Sequence, residues 1–153
     1  MAFSTTFDMA YTDNGTAVSQ VPPYSARGLK GTLTPIDMAQ GSSKLARTVN
    51  GTLIDLSAPQ MRKYQLEARG DDQDPPAFDG LWVGMQVLVN CHVEIGRHTA
   101  SGGPERNAVP GSIRYQDDWT FYRPQMLMRI VEFSIERAEW AAQVTWSLTL
   151  EEV

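Results

Sequence analysis

The chain has 153 residues, an apolar fraction of 42% and a formal net charge of −5, which suits one domain able to bury a sizeable core. The negative charge and the lack of a basic cluster argue against binding to nucleic acid or to an anionic membrane. One cysteine, Cys91, excludes an internal disulfide and fits a reducing compartment. The sequence shows no signal peptide, and no segment approaches the roughly 20 apolar residues that span a bilayer.

Residues 1–30 show no strong hydrophobic period and are rich in small and polar residues. Two interpretations are open: a loosely packed leader, or an extended arm that orders against a neighbouring subunit. Four aromatic side chains are spaced as inter-subunit anchors for such an arm: Phe3, Phe7, Tyr11 and Tyr24. Disordered tails usually lack such residues. The sequence therefore predicts an extended N-terminal arm over residues 1–30 and a single β domain over residues 31–153.

The first part of the domain predicts an edge strand and a hairpin. Gly31–Ile36 is a short strand at a sheet edge, because Pro35 has no N–H to donate. Leu45–Val49 and Thr52–Leu56 flank Asn50-Gly51. Asn-Gly tolerates positive φ at both positions, so the pattern predicts a β-hairpin with a type I′ turn.

The middle of the chain predicts a short helical turn at Ser57–Met61, with Ser57 as its N-cap, and a strand that includes Tyr64–Ala68. Gly84–Ile95 alternates over twelve residues and predicts one long strand with Cys91 in the core. The loop over residues 97–112 is long and rich in Gly and Pro, which predicts mobility and suggests a use.

The last third predicts two more long strands. Phe121–Ile135 alternates, but its apolar residues change face, which predicts a bulge near Ile130-Val131. Trp140–Leu150 alternates strictly, with every even position apolar. This period of two predicts a strand with one face in the core, and it places both Trp140 and Trp146 on that face.

One pair of side chains invites a chemical interpretation. His92 and Glu94 lie two residues apart in the predicted strand Gly84–Ile95, so they share a face. A zinc deaminase with a His-x-Glu pair also needs a downstream Pro-Cys-x-x-Cys motif, which is absent. We therefore predict a solvated polar face here. The sequence assigns no catalytic, cofactor-binding or metal-binding residue, and it predicts a protein that is not an enzyme.

A resemblance in pattern to known proteins extends over residues 28–153. It is carried by five stretches taken together: Arg47–Asp55, Met61–Tyr64, Asp79–Trp82, Phe121–Pro124 and Trp146–Val153. In pattern they resemble small structural proteins of tailed-bacteriophage virions, of the kind found at the tail tip or baseplate. The resemblance implies a non-enzymatic, β-rich virion subunit that is made in the host cytoplasm. It also implies a symmetric homo-oligomeric ring in contact with neighbouring virion proteins.

The sequence thus predicts an all-β fold, an antiparallel sandwich or barrel of about seven to nine strands with one or two short helical turns. The predicted function is a structural tail-tip or baseplate subunit that assembles through β-edge and arm contacts. One alternative is a capsid-decorating or neck protein of the virion. Another is a carbohydrate-binding β-sandwich module, which predicts exposed, coplanar aromatic rings beside a groove.

Overall fold

A computed structural model of the chain describes residues 7–13, 16–24, 29–37, 45–56, 62–72 and 81–153, with the backbone alone for residues 7–24, 37 and 72. These residues form twelve β-strands and one 3-10 turn, Thr99–Ser101. The strands are β1 (Phe7–Asp13), β2 (Thr16–Tyr24), β3 (Leu29–Asp37), β4 (Leu45–Arg47), β5 (Leu53–Asp55), β6 (Arg62–Asp72), β7 (Gln86–Asn90), β8 (Ile95–His98), β9 (Arg114–Gln116), β10 (Trp119–Tyr122), β11 (Gln125–Ala138) and β12 (Gln143–Glu152).

The strands form three antiparallel sheets. The largest has seven strands in the order β2-β1-β7-β11-β12-β6-β3 and curls into a half-barrel. A second sheet has the order β8-β10-β9, and β4 pairs with β5 in a third. The predicted all-β antiparallel fold is confirmed. The strands outnumber the predicted seven to nine partly because two of the predicted long strands are each broken in two.

The core lies on one face of the seven-stranded sheet, where alternation along β12 is the clearest sequence signal. Strands β6, β7, β11 and β12 supply most of the fully buried side chains. They are Leu66, Ala68, Val87, Val89, Met126, Met128, Ile130, Trp146, Leu148 and Leu150. The predicted burial of Trp146 is confirmed at 4% exposure. Its indole lies against Gly70 on β6, where an added Cβ would be 2.5 Å from the ring.

The prediction that Trp140 shares this core face is wrong. Its side chain is fully exposed, because β12 begins only at Gln143. Residues 139–142 form the turn between β11 and β12, and Ala142 takes a left-handed φ of 48°. The apolar alternation in the sequence therefore continues through a turn that the backbone must make to pair the two strands.

The predicted long strand Gly84–Ile95 is also wrong, since the chain bends between β7 and β8 at residues 91–94. Cys91 is nevertheless buried in the core as predicted. Burial, and secondarily the charge of Glu152, raises the pKa of its thiol to about 12. The bend turns His92 inward, so its imidazole packs on the backbone of Gly31 in β3.

The strand predicted over Phe121–Ile135 is divided between β10 and β11. The break lies at residues 123–124, where Pro124 forms an isolated bridge with Ala108. The predicted bulge is confirmed. Ile130 pairs with Leu150 and Glu132 with Thr149, which leaves Val131 as the extra residue.

The predicted hairpin at Asn50-Gly51 is confirmed, but its turn is not type I′. Gly51 has φ of +80°, whereas Asn50 does not have a positive φ. The Gly51 N–H donates to the Thr48 carbonyl at 2.8 Å, and the Thr48 N–H donates to the Thr52 carbonyl at 2.9 Å. The loop therefore has three residues, a type I turn followed by a left-handed glycine.

The N-terminal strands join the same large sheet. β1 pairs with β2 and with β7, and β2 forms one edge of the sheet. β3, with Pro35, forms the opposite edge, as predicted for that strand. Contact between the predicted arm over residues 1–30 and a neighbouring subunit stays a prediction. Among the anchors of this arm, Phe7 and Tyr11 lie in β1 and Tyr24 lies in β2, whereas Phe3 lies outside the described residues. The helical turn predicted at Ser57–Met61 also lies outside the described residues.

Candidate assembly surface

The β4–β5 hairpin, residues Leu45–Leu56, presents an unusual density of exposed apolar side chains. β4 and β5 pair with each other and with no other described strand. Five large apolar side chains of this hairpin are between 38% and 104% exposed: Leu45, Val49, Leu53, Ile54 and Leu56. Single exposed apolar residues are ordinary on protein surfaces, whereas a cluster of this kind marks a site of interaction.

The two faces of this hairpin differ in chemistry. Arg47 pairs with Leu53, and Leu45 pairs with Asp55, so these four side chains share one face. The Arg47 guanidinium donates to the Gly51 carbonyl at 3.0 Å, and it has no acidic partner among the described residues. Asp55 accepts from Arg62 at 3.3 Å, which links the base of the hairpin to β6.

Among the described strands, three segments of the large sheet pair with a neighbouring strand on one side only. β2 and β3 are its two edges. The third lies within the sheet, because β7 covers only Gln125–Arg129 of β11. Beyond the bulge, Glu132–Ala138 pairs only with β12 among the described strands. Unpaired strand edges are templates for pairing with another chain.

An apolar groove, which we call the Val131 groove, lies beside this third edge. It has a volume of about 460 Å³ and is lined by Val83, Gly84, Ile130, Val131 and Val153, together with the charged residues Arg129, Glu151 and Glu152. The bulge at Val131 and the turn at Gly84, with φ of +91°, create its shape. The turn is held to β11 by the Gly84 N–H, which donates to the Ile130 carbonyl at 2.7 Å.

The rim of the Val131 groove is exposed and mostly apolar. Val83, Val131 and Val153 are 64%, 41% and 50% exposed, and Trp82, next to Val83 in the same turn, is 73% exposed. Glu151 is partly exposed in the lining and has no ion-pair partner among the residues that the structure describes. Arg129 lies opposite Glu151 in the β11–β12 register and donates to the Gly84 carbonyl at 2.8 Å, so the groove combines an apolar surface with a cation and a carboxylate that form no ion pair.

The loop over residues 97–112, for which mobility was predicted, is attached to the sheet at several points. The Arg106 guanidinium forms a bidentate ion pair with the Glu152 carboxylate, with N–O distances of 2.9 and 3.0 Å. The same guanidinium lies 4.4 Å from the centre of the Tyr64 ring. Glu152 also accepts from the backbone N–H of Tyr64 at 3.0 Å. These contacts hold the loop near β6 and the end of β12.

The structure separates His92 from Glu94, which the sequence placed together on a solvated face. Glu94 accepts from Arg114 at 2.6 Å, and that guanidinium lies 4.3 Å from the centre of the Phe121 ring. His92 faces inward, and burial, followed by the charge of Arg123, lowers the pKa of its imidazole. The two side chains have different partners and do not form one site.

In the described part of the chain, no group of three or more His, Cys, Asp or Glu side chains could hold a metal ion. His98 instead accepts a hydrogen bond from the Ala100 N–H at 3.2 Å. Its ring meets Trp119 edge-on, with an angle of 77° between the planes. Trp119 is 48% exposed, but the rings of Trp119 and His98 are not coplanar.

The groove, and the end of β7 pairing before Val131, were not predicted from the sequence. One predicted feature lies there, the bulge at Ile130-Val131. A bulge re-aims side chains and often ends pairing with one neighbour. The signal for an outward-facing Val131 was therefore present in the register change along Phe121–Ile135.

Comparison with protein-family models, with curated proteins and with solved structures found no match for this chain. Among the described residues, no helix is long and apolar enough to cross a membrane.

Proposed function

We propose that the chain is a structural subunit of a tailed-bacteriophage virion, a tail-tip or baseplate component that assembles into a homo-oligomeric ring. The observation that carries the proposal is the exposed apolar surface of the β4–β5 hairpin. The resemblance of the sequence in pattern to small virion proteins supplies the virion setting. A capsid-decorating or neck position in the virion is the nearest alternative, since the same surface would serve there.

The energetics of the hairpin favour assembly. Complete burial of a Val, Leu or Ile side chain stabilises by about 1.5–3 kcal/mol. Burial of the five exposed side chains of the hairpin would therefore contribute several kcal/mol of binding free energy. This is comparable with the roughly 4–15 kcal/mol that association costs in translational and rotational freedom. A second contact surface on the same subunit would add to this. A ring supplies two such surfaces per subunit.

Open strand edges give the proposed ring its β-edge contacts. β2 and β3 lie at opposite ends of the large sheet, so an edge of one copy can pair with the other edge of the next. The β1–β2 hairpin is held to the chain's own β7, and exchange of this hairpin between copies is a low-cost route to a linked ring. Such exchange is the form that the predicted arm takes in this proposal.

Sedimentation velocity of the purified chain over a range of concentrations tests assembly. We expect a discrete oligomer whose population grows with concentration. A sedimentation coefficient of a monomer at all concentrations would contradict the proposal.

The virion setting is tested separately by mass spectrometry of gradient-purified particles of a phage that encodes the chain. We expect its peptides at several copies per particle. Their absence from intact particles would contradict the virion part of the proposal and leave the assembly part standing.

A carbohydrate-binding module remains the second candidate, because Trp82 and Trp119 are exposed. Titration of soluble polysaccharides while recording tryptophan fluorescence tests it. Binding that is lost in both Trp82→Ala and Trp119→Ala, with the oligomer unchanged, would support the carbohydrate function. Trp140→Ala is the matched control, because Trp140 is also exposed and lies in a turn that is distant in sequence from Trp82 and Trp119.

A further inference from the structure

We propose that the β4–β5 hairpin of one copy docks into the Val131 groove of the next copy, with Arg47 pairing with Glu151 across the contact. This inference rests on the proposed assembly and names the surfaces that meet. The occupant of the groove is a second copy of this chain, because both complementary surfaces are present on it.

The shapes and polarity of the two surfaces correspond. The hairpin projects two leucine side chains, Leu45 and Leu53, from one face. The groove is open, apolar and about 460 Å³ in volume, which is enough for more than one such side chain. No residue of the hairpin is among the residues that line the groove of the same copy, and Leu53 is 51% exposed in the single chain.

Charge complementarity favours a second copy over an unrelated apolar partner. Arg47 lies on the same hairpin face as Leu53, and Glu151 lies in the groove lining. Neither has an ion-pair partner among the described residues. Leu53 seated against Val131 would therefore bring the Arg47 guanidinium towards the Glu151 carboxylate, which forms no ion pair with Arg129 because the Arg129 guanidinium donates to the Gly84 carbonyl at 2.8 Å. An opposite-charge pair at an interface fixes the register of docking and disfavours wrong partners.

The symmetry of this contact also suits a ring. The hairpin and the groove are different surfaces, so the contact is heterologous: each copy gives a hairpin to one neighbour and receives one from the other. Heterologous contacts close into rings when the rotation between copies permits.

Charge reversal with rescue tests the proposal in the full-length chain. Arg47→Glu alone and Glu151→Arg alone should each weaken self-association by about tenfold or more, because each places like charges together. The double variant Arg47→Glu/Glu151→Arg should restore it. Glu139→Arg, an exposed reversal in the turn before β12, is the control and should assemble as the original chain does.

The outcomes separate the two proposals. If the original chain assembles and both single reversals assemble equally well, the docking proposal is overturned while the assembly proposal stands. If both single variants are weakened and the double variant is not restored, the Arg47–Glu151 contact is overturned. If the original chain stays monomeric, both proposals fail. A thermal melt of each variant shows whether it is folded.

Cross-linking supplies a second test that does not depend on charge. Leu53→Cys and Val131→Cys are prepared as separate proteins, mixed and treated with a short bismaleimide. Cys91 is fully buried, with its thiol pKa raised to about 12, so it does not compete. We expect linked dimers from this mixture and few from Leu53→Cys mixed with Trp140→Cys. Equal yields from the two mixtures would overturn the proposal.

Discussion

Replacing Trp146 with Ala tests whether the packed face of the large sheet is the core of this protein. The indole is 4% exposed and lies on Gly70, which has no side chain to move into a vacated space. Truncating a buried Trp costs about 3–5 kcal/mol, and more where the site cannot collapse, so we expect the upper part of this range. For a chain of this size that corresponds to a fall in melting temperature of roughly 6–20 °C.

Trp140→Ala is the matched control, since it makes the same chemical change in the turn that joins β11 to β12. Trp140 is fully exposed, and its replacement should change the free energy of unfolding by no more than about 0.5 kcal/mol. Urea denaturation of both variants under one condition gives the two values. A loss of less than about 1 kcal/mol for Trp146→Ala would refute the assignment of this face to the core.

Four further changes test other contacts. Gly31→Ala should destabilise by about 1–3 kcal/mol, because its Cβ would overlap the His92 ring; urea denaturation should show the loss shrinking in a His92→Ala background. Burial lowers the pKa of His92, so the unfolded chain binds the proton first and stability should decline as the pH falls below about 6.5. Melts from pH 7.5 to 5 should show a shallower decline in His92→Gln, and an unchanged slope would contradict the reasoning. Arg106→Met should cost about 1–3 kcal/mol in urea denaturation because Glu152 is left mostly buried without its partner, and a neutral result would show that the ion pair does not hold the loop. Deleting residues 1–25 should impair assembly in sedimentation while circular dichroism shows a folded β domain; loss of folding would contradict the arm interpretation.

Alternation predicted the core well wherever a strand has one buried face. Along β12 the burial of Trp146, Leu148 and Leu150 follows from the sequence alone, because successive side chains point to opposite faces. The same reasoning failed at Trp140 and at residues 91–94. There the apolar pattern continues through a turn and a bend, and the backbone is set by pairing with other strands, which a local period does not report.

The candidate assembly surface was predictable only in part. The Asn50-Gly51 pair correctly indicated a hairpin, and the slip near Val131 correctly indicated a bulge. That β4 and β5 pair with no other described strand, and that β7 pairs with β11 only as far as Arg129, are facts of tertiary pairing. The separation of His92 from Glu94 has the same origin, since Gly31 in a distant strand makes room for the imidazole.

Both proposals require that this chain assembles with copies of itself into a ring. Negative-stain electron microscopy of the purified chain, at a concentration where sedimentation shows the oligomer, tests it most directly. We expect closed particles of uniform diameter whose class averages show rotational symmetry, and fewer of these particles for Arg47→Glu at the same concentration. Monomer-sized particles alone, for a chain that is folded by thermal melt, would contradict it.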